Sequence, residues 1–469
     1  MFQGRLVKYG KVWDNLGDRG VNMKMKKESF VYLMAAAVFA AVFIIAFYPG
    51  WMSVDSCVQY AQSLTGHYNS KDPFMMAWWW RCLNFLHKGP GLFLIQNQLC
   101  YWLGLGLIAL HVHRKIGYAA LLVLFAGLFP SAIIITAQIW KDVVFTSLAV
   151  LSLGMILYFY DLGIRLVWQI ALILPVFVLA YGCKPNGLPV VVFLVAVWMF
   201  RYASGIGRKV RVVSACSLMV VIMALPPCLA SLLSVERVSA MQYIQSHDLL
   251  AMGIMEGQLL LPDWMVARTG ITVNTASKFH YTGGNNLFFY NTKAGDLTSY
   301  DSLEIKALHD KWLFAISRYP MTYFKVRWKY FVSLIRFGRN KPGWIVKEGS
   351  IPNDWGIGYK SNFISRAFLW TTDNLPWLYL PWIYLLLSAL MSLSAIFFRD
   401  ELWRLILIAG MCGALFSSPH YFVGPDADFR YLHFSVVCML IQFAILSGML
   451  LKRIPHLAHW HKGDEVVSL

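Results

Sequence analysis

Apolar runs long enough to cross a bilayer recur along the chain, separated by short polar stretches. Runs near 30–48, 91–110, 117–137, 143–160, 166–182, 187–201, 212–233, 375–397, 402–418 and 431–451 predict ten membrane spans, since a helix needs roughly 20 apolar residues to span hydrocarbon. Two stretches fall outside this pattern, a first loop at 49–90 and a long mixed segment at about 234–374. The expectation is an all-α polytopic membrane protein in three parts. Residues 1–233 form an amino-terminal membrane module, 234–374 an extramembrane segment with interfacial helices, and 375–469 the last membrane helices and a tail.

Within the first loop the pattern changes from solid apolar runs to helical stripes. From Ser53, the apolar positions Val54, Cys57, Val58, Ala61 and Leu64 fall on one stripe, and Asp55, Gln59 and Gln62 fall on another. This predicts a short surface helix with Ser53 as N-cap and Asp55 in its first turn. A second interfacial helix is expected from Asp72, its Trp78-Trp79-Trp80 suited to the headgroup layer. In the long segment, Phe324, Trp328, Phe331 and Ile335 make an apolar stripe beside a basic one of Lys325, Lys329 and Arg336. Such a helix lies on lipid and attracts phosphate headgroups.

Composition agrees with lipid as the solvent: of 469 residues, 58% are hydrophobic and only 14% charged, where soluble domains are about a quarter charged. The net charge of +17 does not point to nucleic acid, because the basic residues sit between apolar runs. With the amino terminus inside, the short loops assigned to the cytoplasm carry Arg114-Lys115, Arg165, Arg201 with Arg208-Lys209-Arg211, Arg399 with Arg404, and Lys452-Arg453. That is the positive-inside pattern. The basic stretch from Arg5 to Lys27 and the long run behind it read as an anchor, not a cleaved leader. The eight cysteines form no C-x-x-C pair and read as apolar packing; a disulfide between Cys57 and Cys82, which share the first loop, is disfavoured. His456, His459 and His461 fall in the cytoplasmic tail and read as solvated.

Candidate chemistry collects on the opposite side. Asp55, Lys141-Asp142 in "QIWKDVVF", Lys184 and Asn186 in "CKPNGLP", and Asp426, Asp428, Arg430 and Tyr431 in "PDADFRY" all stand at non-cytoplasmic span ends. Ionisable groups at membrane edges are costly unless paired or functional. Each has an ordinary reading as well: Asp55 as a helix-start acid, Lys141 as a snorkelling cation, Lys184-Pro185-Asn186 as a turn, Arg430 as an interfacial anchor. His247-Asp248 in the long segment is a further candidate pair, for catalysis or a metal. No P-loop, dinucleotide fingerprint or HExxH occurs, and nothing in the sequence demands a metal or other cofactor, although a divalent metal is compatible with it.

In order, "PGWMSVDSCVQY", "WKD", "KPNG", "HDL" and "DFRYLHF" resemble the bacterial GT-C glycosyltransferases, the multi-span enzymes that include protein mannosyltransferases and lipid A aminoarabinose transferases. The resemblance covers most of the chain as an ordered set of short motifs. It implies a GT-C-like bundle in the bacterial inner membrane with cytoplasmic termini and a periplasmic active site. The implied partners are a polyprenyl-phosphate-linked sugar as donor and a cell-surface glycan or lipid as acceptor. It gives Asp55 the catalytic role and puts Lys141, Lys184 and Arg430 near the lipid phosphate, with Gln59, Asp142, Asn186, His247, Asp248 and Tyr431 about the substrate. Many relatives carry His-Pro where this chain has Asp72-Pro73, so Asp72 either shares the acid/base work or caps a helix. A lipid-glycan transporter or flippase would instead predict charges in mid-span and repeat symmetry, and none is seen. A surface-polysaccharide polymerase or ligase would lean on arginines of the large loop.

Overall fold

A computed structural model describes residues 27–202, 207–339 and 344–453. The basic stretch from Arg5 to Lys26 and the three tail histidines lie outside the described residues. Among those described, the chain is all-helical, with only isolated β-bridges. It is a multi-pass membrane protein, with eight helical runs long and apolar enough to cross a bilayer. The membrane helices named below are α1 (Lys27–Phe47), α4 (Gly91–Ile116), α5 (Lys141–Leu162), α6 (Leu166–Cys183), α7 (Leu188–Val197), α8 (Arg208–Leu232), α13 (Pro381–Ile396), α14 (Glu401–Ser417) and α15 (His433–Lys452).

The expected ten spans differ from the observed eight at two places. The 117–137 run is not one rod. Gly117, at φ 63° and ψ −147°, ends α4, and the chain doubles back as short helical pieces, so that Tyr101 bonds the Gly127 carbonyl and Gln98 bonds Thr136. The ninth apolar helix, α13, has 16 residues and is shorter than a full crossing. Elsewhere the helices sit where the apolar runs place them.

α4 and α5 approach backbone to backbone. A Cβ on Gly104 would lie 2.6 Å from the Leu151 nitrogen, and one on Gly154 equally close to the Gly104 carbonyl oxygen. Small residues at such a contact permit the close van der Waals packing that holds helices together in lipid. The loops then sort to two ends. At one, Arg114 pairs with Asp161, Lys115 with Glu401, and Lys452 bonds the Lys115 carbonyl. At the other, Trp51 makes a short parallel bridge with Gln138, tying the end of α1 to the start of α5. The first of these is the basic end and the second the loop end.

The loop end carries α2 (Val54–Thr65) and α3 (Phe74–Asn84), then α9 (Met241–Glu256), α10 (Ser302–Arg318), α11 (Pro320–Ile335) and α12 (Phe363–Asn374). Ser53 is the N-cap of α2, its N–H bonded by Ser56 Oγ at 3.2 Å, and Gly66 closes the helix in the left-handed region at φ 78°. The helix is inside out: Val54 and Val58 are exposed, whereas Ser56, Gln59, Gln62 and Ser63 are buried. Of its apolar stripe, Val54 opens on the cavity described below and Cys57 and Leu64 pack partly against the core, leaving Val58 as the outward apolar position. The tryptophan trio divides, with Trp80 buried between Tyr60 and Phe93 and only Trp78 and Trp79 partly exposed. Cys57 and Cys82 are free thiols.

Candidate functional site

A cavity of about 930 Å³ lies at the loop end, walled by α2, α9, the 71–73 and 184–186 turns and the 423–431 stretch. Each wall has a local cause. The α1–α2 junction turns at Pro49-Gly50, and Ser53 starts α2 one residue before the cavity-facing Val54 and Asp55. Lys141 is the first residue of α5. Lys184 ends α6 where Pro185 begins a 3₁₀ turn. After Gly424 the backbone is extended as far as Asp428, so alternate side chains share a face. Asp426, Asp428 and Arg430 line the cavity, while Ala427 and Phe429 are buried behind them.

Arg430 is the hub. Its Nη1 donates to Asp55 Oδ2 at 2.7 Å, its Nε lies 3.4 Å from Asp428 Oδ2, and its guanidinium rests 4.8 Å over the Trp140 ring. Trp140 is fixed in turn by a 2.8 Å bond from its Nε1 to Ser53 Oγ. Lys141 donates to Asp72 at 2.5 Å and Lys184 to Asp142 at 2.5 Å. The ammonium of Lys184 also sits 4.9 Å over the Tyr431 ring. Asp55 belongs to a chain position 375 residues from its partner, and its side chain is 41% exposed, open toward the cavity.

The electrostatics separate the carboxyl groups. Burial pushes Asp55 up, but Arg430, Lys141 and Lys184 together outweigh it and hold the group below the usual carboxylate range. It is therefore ionised at neutral pH. Burial raises Asp428; Arg430 opposes this and Asp55 adds to it. Burial pushes Asp426 up to about 6, helped by Asp428.

Of the sequence candidates, Asp55, Asp72, Lys141, Lys184, Asn186, Arg430 and Tyr431 line this cavity, with Asp142 behind Lys184. Asp72 does not cap α3, whose N-cap is Pro73; it pairs with Lys141. Three groups of candidates lie elsewhere. Gln59 is buried with neither amide atom bonded and does not line the cavity. His247 and Asp248 are consecutive on α9, with His247 Nδ1 3.9 Å from Asp248 Oδ1, but each hydrogen-bonds a different partner. His247 Nε2 donates to the Tyr281 carbonyl, and Asp248 Oδ2 accepts from Arg327 at 2.6 Å and from Trp312 at 2.9 Å. Lys325 and Lys329 are exposed on α11 beside the exposed Phe324 and Trp328, and Arg336 follows at the helix end in the left-handed region. The buried face of α11 is instead Tyr323, Val326, Arg327, Tyr330 and Leu334.

Sequence reasoning missed Lys71, Tyr243, Tyr290 and Lys347, which also line the cavity, and it left Asp426 and Asp428 without a role although the alternation in "DADFR" marks them. Among the described residues, no group of three or more His, Cys, Asp or Glu side chains is arranged to hold a metal ion. Chemically, the cavity combines an ionised carboxylate at Asp55, four cations held in ion pairs (Lys71, Lys141, Lys184 and Arg430), the further cation Lys347, and apolar walls. No protein-family model matches the chain, and neither the curated proteins nor the solved structures compared with it give a significant match.

Proposed function

We propose that the chain is an inverting glycosyltransferase of the GT-C kind. It takes a sugar from a polyprenyl-phosphate carrier and passes it to a hydroxyl of a cell-surface glycan or lipid. The basic end faces the cytoplasm with both termini, by the positive-inside rule, and the cavity faces the periplasm of a bacterial inner membrane. The observation that carries this reading is the contact of Asp55 with Arg430 at 2.7 Å on the wall of the cavity, with Lys141 and Lys184 beside it.

The chemistry follows from those groups. Asp55 accepts the proton of the acceptor hydroxyl as its oxygen attacks the anomeric carbon. The bond from that carbon to the phosphate oxygen breaks, and the lipid phosphate leaves with the electron pair. A single displacement inverts the anomeric centre, through a transition state with oxocarbenium character. General-base assistance of this kind is worth roughly 10²–10⁴-fold. Lys141 and Lys184 each use one ammonium proton on a carboxylate, leaving donors for the departing phosphate. Fixed donors at a developing charge contribute about 3 kcal/mol each in comparable sites. The exposed aromatic and basic residues of α11 suit contact with membrane lipid.

The test is Asp55→Asn in purified protein supplied with a polyprenyl-phosphate monosaccharide and envelope glycolipid as acceptor. Transfer should fall at least about 100-fold while the protein still inserts and purifies. Full transfer by this variant would remove Asp55 from the chemistry. Comparing envelope glycans from cells with and without the protein identifies sugar and acceptor.

A further inference from the structure

The wall built by Tyr243, Asn286, Tyr290 and Asp426 takes no part in the proton transfer or in holding phosphate. Asp426 Oδ1 accepts from the Tyr243 hydroxyl at 2.9 Å. That hydroxyl already accepts the Asn285 N–H at 3.0 Å and stands 3.0 Å from Asn286 Oδ1. A phenol has one proton to give, so it cannot satisfy both Asp426 and Asn286. Asp426 Oδ2 has no hydrogen bond within the described protein. The wall therefore keeps acceptor oxygens on Asp426 and Asn286 that the Tyr243 proton cannot all serve, beside the donors of the Asn286 amide and the Tyr290 hydroxyl.

Its geometry is fixed from behind. Tyr330 donates to the Asp426 carbonyl at 2.8 Å, and the Ala427 N–H donates to the Gly283 carbonyl at 2.6 Å. Gly284 leaves room for the carboxyl, because a Cβ there would fall 1.8 Å from Asp426 Oδ1. The half-exposed Tyr290 ring lines the same wall and offers an aromatic face. Along the extended stretch, successive same-side residues are roughly 7 Å apart. Asp426 thus stands one step beyond Asp428, which pairs with Arg430, about the breadth of a sugar ring from the phosphate end.

On the glycosyltransferase reading, we propose that Asp426, with Tyr243 and Asn286, grips hydroxyl groups of the transferred sugar at the ring edge remote from the anomeric carbon, and so sets which sugar is accepted. A wall that offers both acceptors and donors suits vicinal hydroxyls, which supply protons to Asp426 Oδ2 and Asn286 Oδ1 and accept them from the Asn286 amide. Asp426 is here a specificity residue; the reacting atoms belong to Asp55 and Arg430.

The experiment measures binding of polyprenyl phosphate and of a panel of polyprenyl-phosphate monosaccharides to the full chain in detergent or nanodiscs. The wild type should bind one sugar-bearing carrier more tightly than the bare carrier. In Asp426→Asn that preference should fall at least tenfold with bare-carrier affinity kept, and Tyr243→Phe, which spares the fold by keeping the ring, should lose part of it. A preference retained in both variants overturns the proposal while leaving the transferase reading standing. A wild type that binds neither carrier form overturns the transferase reading itself.

Discussion

The Asp142–Lys184 pair yields the sharpest test of how the cavity is built. The two groups are 2.5 Å apart with side-chain exposures of 0% and 5%, and Asp142 Oδ2 has no further partner. Lys184→Met leaves Asp142 buried without its nearest cation, and Asp142→Leu strands Lys184 in the same way. Breaking a buried pair from one side costs about 3–5 kcal/mol, while replacing both partners by apolar groups of similar size is close to neutral. Each single variant should therefore lose about 3–5 kcal/mol, and Asp142→Leu/Lys184→Met should recover most of it. The cysteines supply the assay. Cys183, next to Lys184, and Cys412 and Cys438 are buried, whereas Cys216 and Cys228 are exposed. A thiol-reactive dye reaches the buried set only on unfolding, so that labelling phase reports the midpoint; Cys216 and Cys228 lie on the membrane helix α8 and face lipid. Single variants as stable as wild type, or a double variant no better than either single, would refute the assignment of this pair as a buried, mutually compensating unit.

Three further outcomes follow from the same geometry. Asp55→Asn should cost less stability than Lys184→Met, since the Asp55 side chain is 41% exposed and Asp428 stays 3.4 Å from Arg430; a thermal midpoint as low as that of Lys184→Met would mark Asp55 as structural. Gly104→Val should cost at least about 1–3 kcal/mol, because the added carbon meets backbone atoms of Leu151 and Val150 at 2.6–2.7 Å; the dye assay reads it, and an unchanged midpoint contradicts the α4–α5 contact. The preference for a sugar-bearing carrier should rise with pH through about 6 and vanish below it, because burial and Asp428 push Asp426 up to about 6 against Tyr243, Arg430 and His247, and only the ionised carboxyl accepts two hydroxyls. Asp55, held low, stays ionised across this window, so in Asp426→Asn the step near pH 6 should disappear from binding of the sugar-bearing carrier, a phosphodiester with no ionisation of its own there.

How much of this fold was legible follows from where the information is local. A span is local: twenty apolar residues in a row announce it, and α1, α5, α6 and α8 lie where the runs place them. The 117–137 run misleads because hydropathy counts carbon and not φ; Gly117 and the turns near Pro130 break the rod while the residues remain apolar. The first loop misleads in a different way. Periodicity correctly separates the two faces of α2, but it does not say which face is buried: the glutamine face packs inward, while Val54 opens on the cavity and Val58 outward. Gln59 and Gln62, which share the Asp55 stripe, are consequently packed inside.

The site was legible only as far as topology carries. Counting spans puts Asp55, Lys141, Lys184 and Arg430 at one end, and the bundle brings all four to one cavity. Counting cannot say which cation meets which carboxylate, since Asp55 and Arg430 lie 375 positions apart and Lys184 and Asp142 lie 42 apart. It also over-reads adjacency. His247 and Asp248 approach to 3.9 Å, but the close partner of Asp248 is Arg327 at 2.6 Å, which also donates to the Gly424 carbonyl at 3.1 Å. That bond gives Asp248 its place: through Arg327 it fixes the start of the extended stretch whose alternation presents Asp426 and Asp428 to the cavity, with Arg430 following on a 3₁₀ turn. Asp248 thus positions the segment that carries carboxylates into the cavity, and the signal for that segment was the period-two spacing of Asp426 and Asp428, not the histidine beside Asp248.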